Sequence, residues 1–108
     1  MSDRLPTHLM VSALLRRTND SGGQGVVLAR GNVQGGGILV LLVGACGESR
    51  VVERGIGPDG KTALIDSTPA DDPQSYWQRR RSRDPDLWVV ELDSPSAERF
   101  TAETILVG

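Results

Sequence analysis

The stretch from Tyr76 to Asp93, YWQRRRSRDPDLWVVELD, decides the fold, because a basic, aromatic helical segment stops at Asp84-Pro85-Asp86 and passes directly into a strand. A residue that precedes proline is pushed out of helical geometry, so the helix must finish by about Arg83. Upstream, Asp71 or Asp72 supplies its cap, with Pro73 near the first turn. Downstream, Leu87 to Asp93 alternates. Trp88, Val90 and Leu92 point to one face, and Leu87, Val89 and Glu91 point to the other.

Working outward, Glu48 to Ile56 and Thr62 to Asp66 flank GPDGK, in which Pro58 suits the second position of a β-turn and Gly60 supplies the freedom to close it. This reads as a hairpin. Gly25 to Arg30 (GVVLAR) and Ile38 to Val43 (ILVLLV) are apolar runs bounded by glycine, as expected for strands at least partly buried on both faces. Their connector, GNVQGGG, is too long for a two-residue turn and implies a bulge or a close backbone approach.

From His8 to Arg17 the chain is rich in helix formers, with Leu9, Met10, Ala13 and Leu14 inside an arc of about 140 degrees. The reading is a helix with Thr7 as N-cap, Gly22-Gly23 as its stop and Leu5 stapled to its first turn. A strand over 8–17 is the alternative, since Leu9, Val11, Ala13 and Leu15 also alternate. Ser94-Pro95 opens a short helix through about Glu103 that docks Phe100 on the sheet, followed by Ile105, Leu106 and Val107 as an edge strand or loose tail.

The expected fold is therefore α+β, a single small domain over residues 1–108 with a mostly antiparallel sheet of about five strands and two or three helices, the helices covering one sheet face. Twelve Lys and Arg against 14 Asp and Glu give a net charge of -2, which argues against a surface adapted throughout to polyanions. Cys46 is the only cysteine, so no internal disulfide forms; in VGACGES it reads as a small buried hydrophobe. MSDRLPTHLM has no signal-peptide pattern and Ile38 to Val43 is too short to cross a bilayer, so the expected compartment is the cytoplasm, with no membrane partner.

The chemistry-bearing residues are few. Relative to Arg79, the helical wheel puts Arg83 near 40 degrees, Tyr76 near 60, Arg80 near 100, Trp77 near 160 and Arg81 near 200, so the arginines do not share a face. Arg81 is placed to lie over the Trp77 indole, a contact of about 0.5 to 1 kcal/mol. On a purely structural reading, cations near the helix C-terminus offset its dipole and pair with Asp84, Asp86 or Glu91. On a functional reading, Tyr76, Trp77, Arg79, Arg80 and Arg83 form a binding surface for an acidic protein or nucleic acid, arginine forks being suited to carboxylate and phosphate.

His8 is the only histidine, and with Cys46 it does not make a transition-metal site; of the carboxylates Asp84, Asp86, Glu91 and Asp93, the first two are explained by the proline turn, and sequence proximity shows too few converging oxygens for a hard cation, so neither metal nor cofactor is expected. No catalytic residue emerges, since no nucleophile elbow, P-loop or dinucleotide fingerprint is present. The leading expectation is a non-enzymatic binding or accessory module. The alternative is a small-ligand or enzymatic pocket built from His8, Arg16, Arg17, Asp84, Asp86 and Glu91. A homodimer that closes an exposed sheet edge is a further expectation.

Three stretches, THLMVSALLRR, VVLARGNVQGGGILVLLV and above all RRRSRDPDLWVVELD, carry a resemblance over most of the chain to the small bacterial proteins known as the domain of unknown function 1491 family. The resemblance implies a compact α+β domain in a bacterial cytoplasm and transfers no catalytic residue.

Overall fold

The corner at Pro85 forms as its sequence requires. Helix Pro73–Arg83 ends with Asp84 in extended geometry (φ -133°, ψ 90°), and strand Trp88–Asp93 follows within four residues. In the computed structural model, which describes residues 5–106, the chain runs α1 (Thr7–Asp20), β1 (Gln24–Ala29), β2 (Ile38–Val43), β3 (Ser49–Ile56), β4 (Thr62–Asp66), α2 (Pro73–Arg83), β5 (Trp88–Asp93) and α3 (Ala97–Ile105). This is an α+β fold with one five-stranded sheet in the order β1-β5-β2-β3-β4. Three of the four pairings are antiparallel and β2 with β5 is parallel.

β5 is apolar on both faces, so it is buried between two other strands and separates β1 from β2. Val27 lies opposite Val90 on one side and Val40 lies opposite Val90 on the other. The same two-faced burial demands cover above and below, and helices on a single face, as expected from sequence, do not provide it. Met10, Val11 and Leu14 of α1 with Ala97 and Ile105 of α3 pack on Val40, Val52, Trp88 and Val90. Tyr76 and Trp77 of α2 pack on the opposite layer of Leu39, Leu41, Val51, Leu87 and Val89.

α1 is a helix, but rotated from the expected arc. Its buried positions are Thr7, Met10, Val11, Leu14 and Thr18, while Leu9 is exposed. Both threonines tolerate burial because their hydroxyls are satisfied: Thr7 Oγ1 donates to the Gly36 carbonyl at 2.8 Å and Thr18 Oγ1 to that of Leu14 at 2.8 Å. Thr7 is thus the first helical residue, with Pro6 in the cap position, and Leu5 is exposed rather than stapled. α3 begins at Ala97, later than Ser94-Pro95 suggests, and runs on to a buried Ile105 with Leu106 as its C-cap, so Ile105 belongs to the helix and not to an edge strand; Val107 lies outside the described residues.

The β3–β4 turn closes as expected, with Gly60 N–H donating to the Gly57 carbonyl and Gly60 at φ +80°. Cys46 is exposed, contrary to expectation. Gly44 N–H donates to the Glu48 carbonyl, which ends the β2–β3 ladder and leaves Ala45 and Cys46 at the tip of the turn. The Gly-rich connector does make close approaches: a Cβ on Gly31 or Gly36 would overlap the Asp86 carbonyl oxygen.

Candidate functional site

α2 starts where Asp72 accepts hydrogen bonds from Gln74 N–H and Ser75 N–H, satisfying donors that the first turn leaves free. From there the helix divides into two faces. Tyr76, Trp77, Arg80 and Arg81 are half-buried, and Gln78, Arg79, Ser82 and Arg83 are exposed.

On the inner face, Arg80 makes a fork to Glu53 of β3, Nη2 to Oε1 at 2.8 Å and Nη1 to Oε2 at 2.9 Å, and Nη1 also donates to the Tyr76 hydroxyl at 2.7 Å. Ser67 adds a further donor to the same carboxylate. With side-chain exposures of 31% and 21%, the pair is screened less than a surface bridge. The Arg80 hydrogen bonds, more than burial opposes them, hold the Glu53 carboxyl below the usual carboxylate range, and Glu53 raises Arg80 above its ordinary value. This cation is part of the structure of the domain.

Arg81 does not lie over Trp77. Its Nη2 donates to the Arg30 carbonyl at 2.8 Å, which ties α2 to the end of β1, and the Trp77 indole donates to Gln74 Oε1. The cation-π contact on this helix is Arg80 over Tyr76, 5.6 Å from the ring centroid. The expected pairing of the arginines with Asp84, Asp86 or Glu91 also does not occur among the described residues; the partners are Glu53 for Arg80 and Asp71, 3.6 Å away, for Arg79. Asp84 instead accepts from Asp86 N–H within the proline turn, and Glu91 sits mid-strand opposite Val26 and Leu41.

The outer face carries Ser75, Gln78, Arg79, Ser82 and Arg83 along a shallow groove. It presents two guanidinium groups one helical turn apart with hydroxyl and amide groups beside them. A larger cleft of about 460 Å³ opens at the end of the sheet where β2 begins, and takes in Glu53, Arg54, Arg80, Asp84 and the Gly35–Gly37 backbone. Of the residues proposed for an alternative pocket, Asp84 alone lines this cleft. His8 Nδ1 lies 2.9 Å from the Val33 carbonyl, and Arg17 stacks on Phe100 and bonds Glu103. Arg16 is exposed. Among the described residues no three His, Cys, Asp or Glu side chains gather as a metal site, and no helix is long and apolar enough to cross a membrane.

Sequence reasoning singled out α2 and missed Glu53, which binds Arg80, and Arg54, which lines the cleft. The signal for Glu53 is its parity with Val51 in SRVVERGI: a carboxylate on a buried strand face needs a cation from whatever packs there.

Fold and site together define a small α+β domain whose mixed sheet lies between helices and whose one outward basic helix stands near a cleft at the sheet end. The chain belongs to the family described as Protein of unknown function (DUF1491), whose model matches residues 5–102. It is similar to a DUF1491 family protein from Caulobacter crescentus CB15, whose crystal structure has a TM-score of 0.76 at 28% identity over 89% of this chain and 94% of that one. An NMR structure of a DUF1491 family protein from the same organism gives a TM-score of 0.74 at 30% identity over 92% and 94% of the two chains. Protein Atu0922 from A. tumefaciens, solved in solution, shares the fold with a TM-score of 0.68 at 24% identity over 84% and 86%. No curated protein matches the chain.

Proposed function

We propose that this protein is a non-enzymatic binding or accessory module of the cytoplasm that docks the outer face of α2 on an acidic partner, either protein or nucleic acid. The observation that carries the reading is the division of labour among the α2 arginines. Arg80 is engaged inside the domain with Glu53 and Tyr76, whereas Arg79 and Arg83 stand on the exposed face with Ser75, Gln78 and Ser82 beside them. Arg79 has one loose ion pair, at 3.6 Å with both partners mostly exposed, so its fork exchanges readily for a better acceptor. Tyr76 and Trp77 serve this surface from beneath by anchoring the helix on the sheet.

The test replaces Arg79 and Arg83 with Gln and measures retention on DNA, RNA, heparin and polyglutamate across a salt series. The parent is expected to bind at low salt with a shallow dependence, each phosphate contact adding roughly 0.7 to 0.9 to the logarithmic slope, and the double variant is expected to lose it. Preference for polyglutamate over the nucleic acids assigns an acidic protein. No retention of the parent at low salt ends the reading. β4 is an edge strand of the sheet, which supports a homodimer in which a second copy pairs there; light scattering at several concentrations tests this, and a monomeric mass throughout contradicts it.

A further inference from the structure

The sheet has a notch beside β3. Pairing of β3 with β4 extends to Ile56 opposite Thr62, yet its pairing with β2 ends at Leu39 opposite Glu53. Gly57 N–H donates to Lys61 and Ser67 N–H donates to Val51, so the odd-numbered residues of β3 exchange hydrogen bonds with β4. Alternation along an antiparallel ladder then turns the main-chain groups of Arg54 and Ile56 toward the β2 side. In this register Gly36 would stand opposite Ile56, but the connector is drawn away from it. Thr7 N–H holds the Gln34 carbonyl, Thr7 Oγ1 holds that of Gly36, and Trp88 N–H holds that of Gly37. The cleft of about 460 Å³ occupies the place a continued β2 would have filled, and its size suits a small ligand.

The lining says what kind. Ile38, Met10 and Ile105 give an apolar wall on the face that Ile56 shares, and Ile56 at the rim is 68% exposed. Arg54 lines the same cleft and makes no ion pair among the described residues. A main-chain donor and acceptor, an apolar wall and the Arg54 guanidinium converge here, with the Arg80–Glu53 pair and Asp84 completing the lining.

We infer that the notch binds a short extended peptide of a partner protein, added to β3 beside Ile56 as a strand, with an apolar side chain on the Met10–Ile38–Ile105 wall and a carboxylate at Arg54. Strand addition supplies affinity through the main chain, and the wall with Arg54 supplies selectivity. The carboxylate is either a side chain or a chain end. This site is separate from the outer face of α2, so each proposal stands or falls alone.

The test is an amide chemical-shift titration with three probes: acetyl-Thr-Ile-Glu-amide, acetyl-Thr-Ile-Gln-amide and acetyl-Thr-Ile-Gly with a free carboxylate. Saturable shifts at Gly36, Gly55 and Ile56 are expected. The Gln probe should bind about two- to fivefold more weakly than the better of the two acids, as an exposed ion pair predicts, and whichever acid leads identifies the carboxylate source. Arg54→Gln should erase that difference. Ile56→Pro removes the N–H on the side away from β4, so it should abolish binding while the β3–β4 amides keep their positions. Shifts confined to the outer edges of β4 or β1, no shifts at millimolar peptide, or equal binding of acid and Gln probes by the parent would overturn the inference.

Discussion

Arg80 lies at about 100 degrees on the α2 wheel, between Tyr76 at about 60 and Trp77 at about 160, so the helix cannot bury its aromatics without carrying this guanidinium inward. Once there it needs an acceptor, and Glu53 on the facing strand provides both oxygens. Removing Arg80 leaves the half-buried Glu53 carboxylate without its cation and with Ser67 as its remaining donor, so Arg80→Met should cost about 1 to 3 kcal/mol in urea denaturation. The pair also sets a pH dependence. Because the hydrogen bonds from Arg80 depress the folded-state pKa of Glu53, its stabilisation is fully present above the unfolded carboxylate value and is lost as pH falls through the lower folded value. The stability gap between the parent and Glu53→Gln should therefore be full at pH 7 and close in acid, below about pH 4. A gap of equal size at pH 7 and pH 3 would contradict the assignment. The inward turn of Arg80 is legible in the spacing of Tyr76, Trp77 and Arg80 along the chain. Its acceptor is not, because that depends on which strand lies beneath the helix.

The elements show where local signals suffice and where they do not. The β3–β4 hairpin and the Pro85 corner are written in adjacent residues, Gly57-Pro58-Asp59-Gly60 and Asp84-Pro85-Asp86, and both form as read. The insertion of β5 between β1 and β2 joins residues 50 to 69 positions apart, and no turn chemistry announces it. Its clue is burial: ILVLLV and LWVVELD are apolar on both faces, while β1 and β4 are half-exposed, so the first two must take the middle of the sheet and need helices above and below. The connector that permits the insertion passes against the Asp86 carbonyl, and glycine at position 36 is required by that contact. Gly36→Ala should destabilise by about 1 to 3 kcal/mol through overpacking. Gly35→Ala, where a Cβ meets nothing and φ is ordinary, should be near neutral in the same thermal melt. Equal effects at the two positions would mean that the close approach does not constrain the fold. The cleft beside Ile56 follows from the same displaced connector, which is why Arg54 and Ile56 were invisible to motif reading while the arginine helix was not.

Across the whole molecule, stability is unevenly distributed. β2 and β5 are flanked by strands on both sides and contribute residues to both apolar layers, whereas α2 contains no fully buried residue and rests on Tyr76, Trp77 and the Arg80–Glu53 fork. Elements with few buried apolar contacts open at free energies below that of global unfolding. Native-state hydrogen exchange should therefore show the amides of β2 and β5 exchanging only through global unfolding, and those of α2 through a cheaper local opening, with α1 nearer the global limit because Met10, Val11 and Leu14 are buried. Arg80→Met should lower protection in α2 by more than in β5, since it removes a tie between α2 and β3 in which β5 has no part. If α2 exchanges at the same free energy as β5 in the parent, the helix is a cooperative part of the core. Its arginines would then be presented by a rigid surface, and binding there should leave the exchange of α2 unchanged relative to the sheet.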